Sequence, residues 1–149
     1  MQEIDIRHSL ETTLIIMHHK LKRGITVDRQ FAPDLPKVMA YGSELNQVWT
    51  NLIDNAADAM HDEGKLTVRA VRENEDVLVE IIDNGPGIAP EVQSRIFEPF
   101  FTTKGVGEGT GLGLDVVHRI VKKMRGQITV KSVPGDTHFQ VRIPIQAVI

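Results

Sequence analysis

The sequence contains no cysteine. That excludes a disulfide scaffold, thiolate zinc sites and thiol catalysis, and it points to a reducing compartment. A long apolar run is also missing. The longest aliphatic stretch near the start, LIIM at residues 14–17, is far short of the roughly 20 residues of a membrane span, and no signal-peptide pattern opens the chain. Nor is there excess positive charge. A formal net charge of −3 offers no general attraction for nucleic acid or an anionic membrane surface, so any bound polyanion must be held by local features. No internal repeat or composition break divides the chain. With 149 residues, 41% hydrophobic and 25% charged, one domain over residues 1–149 with a single core is expected, a soluble unit or the soluble piece of a longer protein.

Apolar residues at Ile6, Leu10, Leu14, Ile15 or Met17, and Leu21 follow a helical stripe that stops at Gly24. ITVDRQF alternates as a strand, and the Pro-punctuated APDLPKVMAYG leads into the best-defined element. There Ser43 is the expected N-cap, Leu45, Val48, Trp49, Leu52, Ile53, Ala56 and Met60 share one helical face, and Gly64 ends the helix. KLTVRAVREN and DVLVEIIDN read as a hairpin turning around Glu73 to Asp76. A short helix and an aromatic knot in PEVQSRIFEPFF precede the glycine-dense TTKGVGEGTGLGL. A further helix from near Gly111 to Gly126 and a closing hairpin around PGDT complete the chain. This order predicts an α+β fold, a two-layer α/β sandwich in which one mixed, mostly antiparallel sheet is covered on one face by three helices.

Three features carry chemistry. In DNGPGIAP, Asp83 sits where a strand leaves the core, and Gly85 and Gly87 permit close backbone approach to a flat ligand. A carboxylate there can accept from an exocyclic amine such as adenine's; taken alone, the stretch also reads as a solvated turn. Gly105, Gly107, Gly109, Gly111 and Gly113 alternate into a helix start, where backbone amides can hold phosphate oxygens, the alternative being a floppy linker. Neither a P-loop nor a G-x-G-x-x-G fingerprint fits. Asn51 and Asn55 lie four apart on one helical face, suited to a hydrated magnesium ion carrying phosphates or, alternatively, to capping neighbouring backbone.

Together, ELNQVWTNLIDNAADAM, DNGPGI, IFEPFFTTK and GTGLGL resemble, in order, the N, G1, F and G2 boxes of the ATP-binding catalytic domain of bacterial sensor histidine kinases. The wider group is the Bergerat-fold superfamily, which also holds gyrase, MutL and heat-shock chaperone ATPases. The resemblance runs from about Ile4 to Pro144. It implies that Asp83 reads adenine, with Thr137 supporting that contact through water, and that Gly85, Gly87 and Ile88 form the adjoining loop. It implies Asn55 as the principal magnesium ligand, assisted by Asn51. Residues 101–110 would form an ATP lid, with Thr103 within it and Lys104 meeting a phosphate as the second catalytic group beside Asn55. Phe97, Phe100 and Phe101 would anchor that lid, Phe100 also lining the site. Gly109, Thr110, Gly111, Leu112, Gly113 and Leu114 would open the helix beneath the triphosphate.

The implied function is transfer of the ATP γ-phosphate to a histidine on a separate dimerisation domain, carried on the same full-length chain or supplied in trans, followed by a response regulator. ATP and magnesium are the implied cofactors, the setting cytoplasmic, the isolated domain a monomer. A regulatory or degenerate nucleotide-binding module without phosphotransfer is the alternative. In the gyrase and chaperone relatives a glutamate stands at the place of Asn51 and activates water; an amide cannot accept that proton, so efficient hydrolysis is disfavoured. His8, His18, His19, His61, His118 and His138 lack the family's acceptor box and are expected at the surface or its boundary. Three positions depart from the pattern: Asp58 stands where many members carry a basic residue near the phosphates, Arg125 replaces the first glycine of a common pair, and Asp136 replaces a glycine before Thr137. The short lid with PFFTTK resembles the nitrogen-regulation and sporulation branch.

Overall fold

The computed structural model describes residues 1–98 and 113–145. A short strand, β1 (Gln2–Ile4), leads into helix α1 (Ile6–Ile16). Asp5 caps that helix, accepting the His8 amide at 3.2 Å and so satisfying one of the donors a helix start leaves open. The helix breaks at Met17 and resumes as α2 (His18–Leu21). Of the two readings of the apolar stripe, Met17 is right: it is 8% exposed, whereas Ile15 is 72% exposed. Steps of three and four from Leu14 through Met17 to Leu21 keep the stripe on one side, and Ile15 is turned about 100° off it.

After β2 (Ile25–Phe31), β3 (Val38–Ala40) pairs antiparallel with β1, matching Ile4 to Val38. This small second sheet was not anticipated, because three residues are too few for a period to show. Helix α3 (Gly42–Ala59) starts one residue before the expected cap. Tyr41 occupies the N-cap without a side-chain bond, and Ser43 lies in the first turn beside Glu44, whose carboxylate suits the positive end of the helix dipole. The helix also ends before Gly64. His61 and Asp62 adopt left-handed φ values of 54° and 60° and reverse the chain, and Gly64 instead opens β4 (Gly64–Glu73). The expected hairpin joins β4 to β5 (Asp76–Asp83), with Asn74 at φ 56° in the turn.

The remaining elements are α4 (Pro90–Gln93), α5 (Gly113–Lys123), β6 (Gln127–Val133) and β7 (Asp136–Pro144). Arg125 takes the left-handed position after α5 at φ 61°, and the Gly126 amide donates back to the Val121 carbonyl at 2.9 Å. The expected helix-ending turn therefore forms with an arginine in the glycine's place. The main sheet runs β2-β4-β5-β7-β6, with only β2–β4 parallel.

Alternation along the strands separates two faces. Leu66, Val68, Val79, Ile81, Phe139 and Val141 point at the helices and form one core with Leu10, Trp49, Leu52, Ile53, Val117 and Val121. On the opposite face Glu80 accepts from Arg69 at 2.8 Å and Gln140 at 3.0 Å, and Thr129 donates to Gln140 at 3.2 Å. Burial pushes the Glu80 carboxyl up, but the bonds from Gln140, His138 and Arg69 outweigh it and hold the group below its usual range. The α+β sandwich with helices on one face is thus the one the element order predicts.

The two long helices are tied by a buried bond: Trp49 Nε1 donates to Ser9 Oγ at 3.0 Å, and Ser9 Oγ donates to Asn46 Oδ1 at 2.7 Å. Trp49 is fully buried, so removing its acceptor strands an indole N–H. Ser9→Ala should destabilise the protein by about 1–3 kcal/mol, read as a lower denaturation midpoint at unchanged slope.

Candidate functional site

Asp83 ends β5 on the helix-facing side and is 3% exposed, paired across to Leu66 on one flank and Thr137 on the other. Its Oδ1 accepts the Gly85 amide at 2.9 Å, which fixes the carboxylate plane and leaves Oδ2 able to accept a further donor. A Cβ on Gly85 would stand 3.1 Å from the Ala59 carbonyl oxygen, so this loop sits directly on the last turn of α3. Gly87 takes φ 89°, and a Cβ there would meet the Val133 carbonyl oxygen at 2.7 Å. The loop is thereby pressed between α3 and the β6–β7 hairpin.

Two residues that sequence reasoning missed hold it there. Ser132 Oγ accepts the Ile88 amide at 2.8 Å and shares a hydrogen bond of 2.7 Å with Thr137 Oγ1. Gln93 Nε2 donates to the Ile88 carbonyl at 2.7 Å and the Ser132 carbonyl at 3.0 Å. The Gly135 amide adds a bond to the Gly85 carbonyl at 2.9 Å. A usable signal for Ser132 existed: it is polar at a position of β6 where alternation faces the core. Gln93 gave none.

Along α3, Asn51 Nδ2 donates to the carbonyl of Gly113, the first residue of α5, at 3.2 Å. That bond commits the amide nitrogen and turns Asn51 Oδ1 toward accepting. Asn55 lies one turn further on, half-buried on the same side. Two amide oxygens are hard donors of the kind magnesium takes, but two alone would leave its shell incomplete. Among the described residues no group of three or more His, Asp or Glu side chains could hold a metal. Leu114 packs, half-buried, against the core.

The structure thus brings Asn51, Asn55, Asp83, Gly85, Gly87, Ile88, Gly113, Leu114 and Thr137 around one helix–sheet junction. Phe100, Phe101, Thr103, Lys104, Gly105, Gly107, Gly109, Thr110, Gly111 and Leu112, and with them residues 101–110 as a whole, lie outside the described residues. Phe97 is described: its ring stacks on His118 at 5.6 Å and meets the edge of Phe139 at 6.5 Å. The six histidines are exposed or half-buried, as expected. Asp58 faces a cation after all: Lys20 Nζ donates to its Oδ1 at 2.8 Å, and also to Asp54.

Comparison with known proteins gives the family and the fold. A family profile described as histidine kinase-, DNA gyrase B-, and HSP90-like ATPase matches residues 41–147. The chain is 33% identical over 153 residues to the sensory histidine kinase/phosphatase NtrB of Vibrio alginolyticus, covering 95% of this chain and 43% of that protein. It therefore spans less than half the length of that relative. The catalytic domain of histidine kinase ThkA in a nucleotide-free form superposes with a TM-score of 0.89 at 27% identity, covering 97% of this chain and 95% of the other. ThkA in complex with the response regulator TrrA superposes with a TM-score of 0.82 at 26% identity, covering 96% of this chain and 41% of the other.

Burial is the largest influence on the Asp83 carboxyl and pushes it above the usual aspartate range; the Gly85 amide pulls it down, Asp136 pushes it up, and His138 pulls it down. A carboxyl raised on folding opposes the folded state while ionised. Its contribution to stability is fully present below the unfolded pKa and is lost as pH rises through the folded one. Asp83→Asn keeps an oxygen for the Gly85 amide and removes the charge. At neutral pH the variant should equal or exceed wild-type stability, and any excess should shrink as pH falls through the raised pKa. Denaturant unfolding across pH checks this; a deficit at neutral pH that closes in acid contradicts it.

Proposed function

The chain belongs to the histidine kinase-, DNA gyrase B- and HSP90-like ATPase family as a nucleotide-binding catalytic domain of histidine kinase type, and from this we propose that it hands the γ-phosphate of ATP to a histidine on a separate dimerisation domain. The observation that carries the reading is Asp83: a carboxylate closed into the helix–sheet junction, with one oxygen fixed by a backbone amide and the other left to accept. Adenine's exocyclic amine is the donor such an acid suits, and the Thr137 hydroxyl across the strand pair supports the same contact. Gly85, Gly87 and Ile88 supply close backbone against the base.

Asn55 and Asn51 are the residues that would hold magnesium, which when bound supplies charge neutralisation for the phosphates. Gly113 and Leu114 open α5 with backbone amides toward the phosphate end. On motif alone, Gly109, Thr110, Gly111 and Leu112 extend that start, residues 101–110 form the lid with Phe100 and Thr103 against the nucleotide, and Lys104 neutralises a phosphate. These residues bind, orient and exclude water, which is most of what phosphoryl transfer asks of a protein. The acceptor imidazole attacks in line: its N–P bond forms as the bridging P–O bond breaks and ADP leaves. A neutral imidazole is already nucleophilic, whereas water is not, and Asn51 cannot take water's proton. The family therefore gains transfer here without efficient hydrolysis.

The histidine-bearing partner, a downstream response regulator and a cytoplasmic setting, where ATP is available, complete the proposal. The ThkA–TrrA complex supports the response regulator by likeness. Among the described residues no helix is long and apolar enough to cross a membrane.

In calorimetry with ATP and magnesium, Asp83→Ala should weaken binding roughly tenfold or more, the loss of a buried hydrogen bond to a ligand; unchanged affinity would remove Asp83 from adenine recognition. With labelled ATP, the domain alone should show no phosphohistidine, and adding a dimerisation domain should produce it. Tight ATP binding with no transfer to any such domain would leave a regulatory module instead. Asn51→Glu should raise phosphate release above a low wild-type rate.

A further inference from the structure

Three polar side chains stand in one row across the mouth of the sheet. Register pairs Asp83 of β5 with Thr137 of β7, and Thr137 in turn with Ser132 of β6. Directly opposed residues point to the same face, so all three face the helices, Asp83 and Thr137 each 3% exposed and Ser132 half-buried. Thr137 lies between the other two, because β7 lies between β5 and β6. The hydroxyl of Ser132 joins this row to the glycine loop: its Oγ accepts the Ile88 amide at 2.8 Å and lies 2.7 Å from Thr137 Oγ1.

At that distance one hydroxyl donates to the other, and the supply of hydrogens and lone pairs decides which. A serine hydroxyl has one hydrogen and two lone pairs, and the Ile88 amide occupies one lone pair. If Thr137 donated, both lone pairs of Ser132 would be filled, and its own hydrogen would have no protein acceptor among the described residues. If Ser132 donates, both hydrogens have a use. The serine's goes to Thr137, and the threonine's is released toward the Asp83 side of the row, where a ligand would sit.

We propose that Ser132 is a positioning residue for base recognition: by accepting the Ile88 amide and donating to Thr137, it makes Thr137 a hydrogen-bond donor beside the acceptor Asp83, and so fits the site to a purine with an amine at C6 and an unprotonated N1. The proposal rests on the nucleotide-binding reading above. Adenine presents that pair, a donor at N6 beside an acceptor at N1, whereas a 6-oxopurine reverses both. A bridging water does not change the requirement. Shared with the carboxylate, it uses its two hydrogens on Asp83 and N1 and must itself accept from Thr137.

The test measures binding, by calorimetry with magnesium, of ATP and of 1-deaza-ATP, which keeps the amine and replaces N1 with C–H. The proteins are wild type, Ser132→Ala, Ser132→Thr, Thr137→Val and the double variant Ser132→Ala/Thr137→Val, each first shown to unfold cooperatively. Ser132→Cys, close in size and a weak donor, replaces the alanine variant if that one does not. Whatever Ser132→Ala loses through the Ile88 loop falls on both ligands alike, so the readout is the ratio of their affinities. Wild type should prefer ATP, and Ser132→Ala should cut that preference roughly threefold or more, the share of one neutral hydrogen bond. Ser132→Thr, which keeps the hydroxyl, should retain it. In the Thr137→Val background, adding Ser132→Ala should change the ratio by under about twofold, because the residue it acts through is gone. An unchanged ratio in Ser132→Ala, with both ligands weakened alike, makes Ser132 a fastening for the loop and overturns the proposal. A wild type that binds ATP and 1-deaza-ATP equally also overturns it, and leaves ATP binding standing. A folded wild type that binds neither overturns the nucleotide reading, and this proposal with it.

Discussion

A carboxylate taken out of water at the end of a strand is tolerated only if hydrogen bonds replace its hydration, and Asp83 has one such bond of its own. The geometry around it follows from holding that arrangement open to a ligand. The Gly85 amide fixes the plane of the acid, and the loop carrying that amide passes so close to the end of α3 that a Cβ on Gly85 would crowd the Ala59 carbonyl at 3.1 Å, while Gly87 combines φ 89° with a 2.7 Å approach that excludes a side chain. Ser132 and Gln93 then fasten the far side of the same loop to the closing hairpin. The acid's remaining oxygen is aimed by backbone and neighbours, not by a free side-chain torsion, and that is the preorganisation a selective contact with a flat base needs.

The second organiser is α3. Its apolar stripe, from Leu45 to Met60, is buried against the sheet, and burying that stripe determines where every polar residue of the helix points. Asn51 and Asn55 face the junction because Leu52, Ile53 and Ala56 face the core. The same rotation carries Asp54 and Asp58 to the border of the site, where α2 brings Lys20 against them. Packing energy and site chemistry are therefore read from one helix at two angles. The bonds from Asn51 to Gly113 and from Trp49 to Ser9 hold α5 and α1 in register with it.

Much of this was legible in the chain itself. The long helix and its buried face, the two hairpins and the sandwich could be read because each rests on a period of 3.6 or 2 sustained over many residues. Asp83 with its glycines stood out only together with the other boxes, since the stretch alone also reads as a solvated turn. Less could be read where an element is short or a partner is distant. The pairing of β1 with β3 involves three residues on each side, and the cap of α3 lies two residues before the expected Ser43, at Tyr41. Ser132, Gln93 and Lys20 each make at least one bond to a residue 34 or more positions away.

Sequence alone determined which side chains are available and which face of each element carries them, since helix and strand periods are local properties set by nearest neighbours along the chain. Those periods carried the layer architecture, and the four ordered boxes carried the resemblance to the family and marked Asp83 as the acid to examine. Tertiary structure alone decided which distant groups share a charge or a hydrogen bond: that Lys20 reaches two acids on another helix, that Ser132 closes onto Ile88, and that burial pushes the Asp83 carboxyl above the usual aspartate range. Those outcomes depend on distances of a few ångströms between segments far apart in the chain, and no local period encodes them.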